Sequence, residues 1–148
     1  TYNLNTKIVR IFNTYGPRMQ LNDGRVVTNF IVQALNSKDI TIYGDGSQTR
    51  SFSYVEDTVN GIIALMKSDH NDVFNIGNPN EITVNQLAST IIRLTNSSSQ
   101  IINKDLPKDY PKQRRPDITK ARNLLEWEPQ IELEDGLMKT IEWVNSQL

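Results

Sequence analysis

Four polar side chains stand where a bound anion or sugar can be held: Asn13, Arg25, Arg50 and Arg114. Asn13 follows the apolar run "KIVRIF", at the point where a strand should stop. In open α/β sheets, ligands bind outside the carboxyl ends of strands. The Asn13 amide can donate to a phosphate or sugar oxygen. A plain turn asparagine is the other reading, because asparagine tolerates left-handed backbone. Arg25 opens a predicted helix, where unpaired backbone N–H groups and the helix dipole favour an anion. Read without its neighbours, Arg25 is only a solvated charge. Arg114 and Arg115, in "QRRPD", read either as a soluble loop or as one arginine reaching the anion that Arg50 would hold.

The stretch "YGDGSQTRSF", Tyr43 to Phe52, is richer. Tyr43 ends a strand and can stack on a nucleobase. Gly44 and Gly46 let the backbone turn back without side-chain obstruction. Arg50 then returns toward the same side with a guanidinium fork suited to phosphate. A base at one end and a phosphate at the other is the outline of a nucleotide. The competing reading is a β-hairpin whose Tyr43 and Phe52 are core, because aromatics enrich strands for packing reasons alone. Gly44-x-Gly46 does not extend to a Gly-x-Gly-x-x-Gly fingerprint, since Thr49 fills the third site, and there is no phosphate-loop motif. His70, in the polar stretch "SDHND", reads as exposed and not a metal ligand. Trp127 and Trp143 read as core. Glu126, Glu128, Glu132, Glu134 and Asp135 read as helix-end and surface charge.

These residues need elements to position them. Lys7 to Phe12 is a near-continuous apolar run, as in a strand buried on both faces. Asn13 to Gly24 reads as a loop. Helical spacing follows from Val26 to Leu35, then a short strand in "DITIYG", with "TRSFSY" extended. Val55 to Lys67 reads as a helix with Val59, Ile62, Ile63 and Met66 inward. "DVFNIGNP" is a strand and turn. Thr83 caps a helix from Val84 to Leu94 that "NSSSQ" ends. "QIIN" is a strand, and "KDLPKDYPKQRRPD" is a loop. Asp117 caps a short helix, Ile118 to Leu125, which Pro129 is expected to stop. Leu133 to Leu148 is the last helix. Alternating strands and helices predict an α/β fold.

The chain has 148 residues, 37% hydrophobic and 22% charged, with a net charge of -1. That is globular composition without the positive charge that nucleic acid or an anionic membrane would attract. With no cysteine there are no disulfides and no thiolate metal sites. No apolar run approaches the ~20 residues of a bilayer span. The chain opens at Thr1 and leads almost directly into a strand, so it is expected to be a piece of a longer protein.

Taken in order, "RIFNTYGPRM", "DGRVVTNFI", "IYGDGSQTRSFSYVEDTVNGIIALM", "FNIGNP" and "RRPDITKARNLLEWEP" resemble the extended short-chain dehydrogenase/reductase family. Its members are NAD-dependent nucleotide-sugar epimerases, dehydratases and decarboxylases. Five motifs in sequence are far more specific than any one of them. The resemblance implies that residues 1–148 are the C-terminal, nucleotide-sugar-binding portion of an extended Rossmann-type protein. The last strands of the main sheet would be joined here to a small mixed α/β lobe, with the NAD-binding domain upstream.

By the family pattern, Asn13 contacts the diphosphate or sugar, and Arg25 and Val26 line the nucleotide pocket. Tyr43 packs on uracil, Gln48 lies near the sugar, and Arg50 and Arg114 grip the diphosphate. Arg115 is less secure, because relatives often carry lysine there. The family's Tyr-x-x-x-Lys pair is absent from this sequence: the residues four after each tyrosine are Thr6, Met19, Ser47, Thr58 and Arg114. No catalytic residue is therefore expected in this chain, and alone it is expected to be inactive.

"Arg50-Ser51-Phe52", where related epimerases usually carry aspartate after the arginine, and "PRM…DGRVV" are most similar to the branch that decarboxylates UDP-glucuronate to UDP-xylose through a 4-keto intermediate. The alternatives are a dTDP-glucose 4,6-dehydratase, a UDP-sugar 4-epimerase, or a non-catalytic module that binds a nucleotide sugar. A homodimeric, cytoplasmic parent is the accompanying expectation, with a membrane tether or Golgi location left open.

Overall fold

The computed structural model describes residues 6–105 and 113–148. The run after Lys7 forms β1 (Ile8–Ile11), which pairs in parallel with β6 (Val73–Ile76). A second parallel pair joins β2 (Thr14–Tyr15) to β5 (Ser53–Tyr54). A third joins β3 (Ile40–Tyr43) to β8 (Ile101–Lys104). β4 (Thr49–Ser51) is the centre of a three-stranded sheet, antiparallel to β7 (Glu81–Thr83) and parallel to β9 (Gln113–Arg114). Parallel partners need long crossovers. Helices α1 (Val26–Leu35), α2 (Val55–Lys67), α3 (Val84–Thr95), α4 (Thr119–Leu125) and α5 (Leu133–Asn145) lie along them. The architecture is α/β, as the alternation predicts. β2 and β9 fall where loops were expected, and residues 106–112 of the second loop lie outside the described residues.

Two stretches of apolar patterning are corrected. β1 is not buried on both faces, since Ile8 and Ile11 are 55% and 54% exposed. Among the described residues its one partner is β6. In α2 the inward face is Asp57, Thr58, Gly61 and Leu65, while Val59, Ile63 and Met66 stand outward, Met66 at 68% exposure. Close approach selects that face. A Cβ on Gly61 would lie 2.8 Å from Trp127 Cε2 and 2.9 Å from Ile76 Cγ2. Gly61→Ala in the full-length protein is therefore expected to lower stability by about 1–3 kcal/mol through overpacking, measured by urea unfolding.

The helix ends show which local signals were decisive. Thr83 Oγ1 accepts from Gln86 N (3.1 Å), and Gln86 Oε1 accepts from Thr83 N (2.9 Å), a complete capping box. α3 stops at left-handed Asn96. α4 begins at Thr119, one residue later than expected, although Asp117 Oδ1 still accepts from Thr119 N at 2.9 Å. It ends through Glu126, which adopts left-handed backbone with φ of 50°. Pro129 comes too late, because proline restricts only the residue before it. α5 ends at Asn145, short of Leu148.

The larger core joins α1, α3 and α5 through residues such as Phe30, Ile31, Leu87, Ile91, Leu137 and Val144. Tyr15 is buried there. Its hydroxyl donates to Leu133 O (3.0 Å), and burial raises its phenol well above the usual range, so it remains a donor. A second core centres on Phe74, Ile76, Leu65, Ile118 and Trp127. Here Asp57 acts as a fastener: its two carboxylate oxygens accept from Gln130 N (3.1 Å) and Ile131 N (3.0 Å). Trp127 Nε1 donates to the Asp57 carbonyl at 3.1 Å. The segment between α4 and α5 is thereby tied to α2.

Candidate functional site

β1 and β3 both end at one cleft of about 800 Å³, and α1 starts on its rim. Asn13, Arg25, Val26, Tyr43, Gln48, Arg50 and Arg114 all line it, although a hundred positions of chain separate the first from the last. Asn13 leaves β1 and bridges to the β4–β5 segment. Its carbonyl accepts from Ser53 N (2.8 Å), and its amide donates to Ser51 O at 3.3 Å. Arg25 is the boundary residue of α1, with no side-chain cap. Asp23 holds it, accepting from Arg25 N at 3.1 Å and pairing with Nε at 2.8 Å. Val26 and Val27, the first two residues of α1, line the cleft, and a helix start favours an anion.

Arg50 sits at the centre of β4 and is 6% exposed. Its Nη1 donates to Thr49 O at 2.7 Å. In the parallel register Arg50 is opposite Arg114. Opposed residues of adjacent strands project to the same face. Two like charges held side by side are unfavourable, and an anion between them reverses the sign of that interaction. Arg115, the next residue, is turned away. It stands 4.0 Å from Glu81 Oε2 and does not line the cleft. Among the described residues no carboxylate lines the cleft.

The turn between β3 and β4 is not a hairpin, because the two strands belong to different sheets. Phe52 is buried, whereas Tyr43 is 48% exposed at the cleft mouth. The turn is held by one contact from within, made by Gln48, and by four from outside. The carbonyls of Tyr43, Gly44, Asp45, Gly46 and Gln48 accept from Gln48 Nε2 (2.8 Å), Asn103 Nδ2 (2.7 Å), Asn85 Nδ2 (2.8 Å), Asn85 N (3.1 Å) and Val84 N (3.1 Å). Gly46 has φ of 75°, and a Cβ there would meet Asn85 Oδ1 at 2.1 Å. The Ser47 hydroxyl and N–H hold the Asp45 carboxyl below its ordinary value.

Sequence reasoning missed the cleft's apolar wall, including Phe12, Met19 and Phe30, because such residues carry the same signature as core. It also missed Asn29, whose signal was its place one helical turn after Arg25. His70 is half-buried, 6.0 Å from the Phe74 ring centroid, and no group of potential metal ligands exists among the described residues. No described helix is long and apolar enough to cross a membrane.

Known proteins are similar to this chain in sequence and in fold. The chain is 50% identical over 142 residues to UDP-glucuronic acid decarboxylase 1 of Xenopus tropicalis, which covers 96% of this chain and 34% of that protein. The chain thus spans about a third of the length of the curated relative it matches. Its fold superposes on UDP-N-acetylglucosamine 4-epimerase of Methanobrevibacter ruminantium, in complex with UDP-N-acetylmuramic acid, with a TM-score of 0.94. That match has 30% identity over 100% of this chain and 48% of the other. It also superposes on UDP-glucuronic acid 4-epimerase of Bacillus cereus, in complex with UDP-glucuronic acid and NAD, with a TM-score of 0.88. Identity there is 31%, over 95% of this chain and 45% of the other. The family model described as GDP-mannose 4,6 dehydratase matches residues 1–140. With residues 1–140 matched by that model, the chain belongs to the GDP-mannose 4,6 dehydratase family, within the NAD-dependent epimerase/dehydratase group of extended short-chain dehydrogenases/reductases.

Proposed function

We propose that this chain is the nucleotide-sugar-binding portion of an NAD-dependent enzyme that decarboxylates UDP-glucuronate to UDP-xylose. The observation that carries the reading is the in-register pair Arg50 and Arg114, opening onto the cleft whose mouth Tyr43 occupies. In this reading the arginine pair takes the diphosphate. The exposed Tyr43 ring takes the uracil face. Gln48 and Asn13 face the sugar, and Arg25 and Val26 close the nucleotide side. Fixing the diphosphate at two points sets the position of the attached sugar, which is the entropic part of catalysis. The 50% identity to a UDP-glucuronic acid decarboxylase, against 30–31% for the two epimerases, supports decarboxylation over epimerisation.

NAD is the cofactor this reaction requires. The residues of this chain do not fit as its cradle. No Gly-x-Gly-x-x-Gly occurs, and Gly44 and Gly46 lie in a strand-to-strand turn rather than at a helix start. The proposed division of labour places the cofactor and the Tyr-x-x-x-Lys pair on a preceding domain of the longer protein. The outward apolar residues of β1 and α2 (Ile8, Ile11, Val59, Ile63 and Met66) are the surface such a domain would cover.

The test is a product assay on the full-length protein with UDP-glucuronate and NAD. Carbon dioxide and UDP-xylose are expected. An epimer of UDP-glucuronate, or a 4-keto-6-deoxy sugar from dTDP-glucose, would assign the protein to another branch. Binding without any product would leave a nucleotide-sugar-binding module.

A further inference from the structure

We propose that Asn85 and Asn103, neither of which lines the cleft, are positioning residues that hold the 43–48 turn in the shape needed to receive a nucleoside. The proposal rests on the UDP-sugar reading of the cleft. Asn85 is the second residue of α3. Its side-chain amide donates to the Asp45 carbonyl at 2.8 Å, and its backbone N–H donates to Gly46 O at 3.1 Å. Asn103, in β8, donates to Gly44 O at 2.7 Å, and Gly44 N in turn donates to Lys104 O at 2.8 Å. The turn is thus clamped between the start of α3 and the strand that pairs with β3.

The turn has no ladder of its own. β3 and β4 do not pair with each other, so no hairpin ladder fixes the path of residues 44–47, which depends on the contacts that α3 and β8 make to it. Two glycines, at φ of 78° and 75°, make that path permissive. Tyr43 itself is set by its ladder partner Lys104, so an unclamped turn would vary the wall that residues 44–48 place beside that ring, and a base that must order part of its platform binds more weakly. The two amides do this ordering before ligand arrives. Asn85 is also free for the purpose, because the capping of α3 belongs to Thr83 and Gln86. The arginine pair lies on β4 and β9, beyond the turn, and takes its position from the strand register instead. The clamp therefore governs the nucleoside end of the ligand and leaves the diphosphate end alone.

That separation is measurable. In the full-length protein, affinities for UDP and for inorganic pyrophosphate are compared by calorimetry. Asn85→Ala is expected to weaken UDP about five- to tenfold, the scale of one lost anchoring hydrogen bond. Pyrophosphate should change by less than about twofold. A general loss of stability would weaken both ligands together and leave their ratio unchanged. In a Tyr43→Ala background the same substitution should have no further effect on that ratio, because residues acting through one another are not additive. Where Asn85→Ala lowers the melting temperature, Asn103→Ala, an exposed side chain, carries the same comparison. An unchanged UDP-to-pyrophosphate ratio in both variants, or full additivity with Tyr43→Ala, overturns the positioning role while leaving the cleft's assignment intact. A wild-type protein that binds neither ligand overturns that assignment and this proposal with it.

Discussion

Arg50→Ala in the full-length protein is expected to weaken UDP-glucuronate binding by about 30-fold or more. Truncating one member of a buried, hydrogen-bonded charge pair costs about 2–5 kcal/mol, and each 1.4 kcal/mol is about tenfold. Arg50 meets the conditions for the large effect. It is buried and lies on the central strand of its sheet. Arg50→Lys should recover only part of the loss, because an ammonium lacks the planar fork that engages two phosphate oxygens. Arg115→Ala should change affinity by less than about twofold, being a solvent-exposed charge directed to Glu81. Equal affinities for all three variants, in proteins with native circular dichroism, would remove the diphosphate grip from the assignment. Arg114→Ala offers the same test with an exposed residue.

The second large effect is on stability. Asp57→Ala removes the acceptor for two backbone N–H groups, at 3.1 and 3.0 Å, beside the Trp127 anchor. Hydrogen bonds to a charged group contribute about 1.5–3 kcal/mol each, so the loss of two is expected to total about 3–6 kcal/mol. Asp57→Asn should recover little. One of its two positions is an NH₂ group, which meets an N–H donor head-on. Urea unfolding followed by tryptophan fluorescence reads this locally, since Trp127 is bound to the same residue. A change below 1 kcal/mol would show that the 126–132 segment is held by packing alone.

Much of this molecule can be read from residue order, and the exceptions have common physical causes. The bounds of α1 and α2 follow from apolar spacing, and Thr83 with Gln86 announces the start of α3. The inward face of α2 was misread because its buried residues are mostly polar or small (Asp57, Thr58 and Gly61 beside Leu65), while apolar Val59, Ile63 and Met66 stand outward. Only a close-packed neighbour such as Trp127, met across the fold from Gly61, decides which face turns inward. Glu126 ends α4 through a backbone conformation that nothing in its side chain advertises. For the cleft, residue type and position singled out polar side chains that the structure brings to one cavity, while their role toward a nucleotide is the proposal made above. Asn85 and Asn103 were not legible. Each serves a turn some 40 to 60 positions away, and asparagine at a helix start or strand end has many commoner uses.

The strand pairings carry a consequence for how the chain acquires this shape. Among the described residues no ladder forms between neighbouring segments. The shortest closure runs from Ser51 to Glu81 and the longest from Ile8 to Val73. Loop-closure entropy must be overcome before any of these contacts stabilises the fold. Biogenesis is then slow relative to helical proteins of this size. A ribosome must release nearly the whole segment before β4 meets β9, and until then unpaired strand edges are open to aggregation and to chaperones.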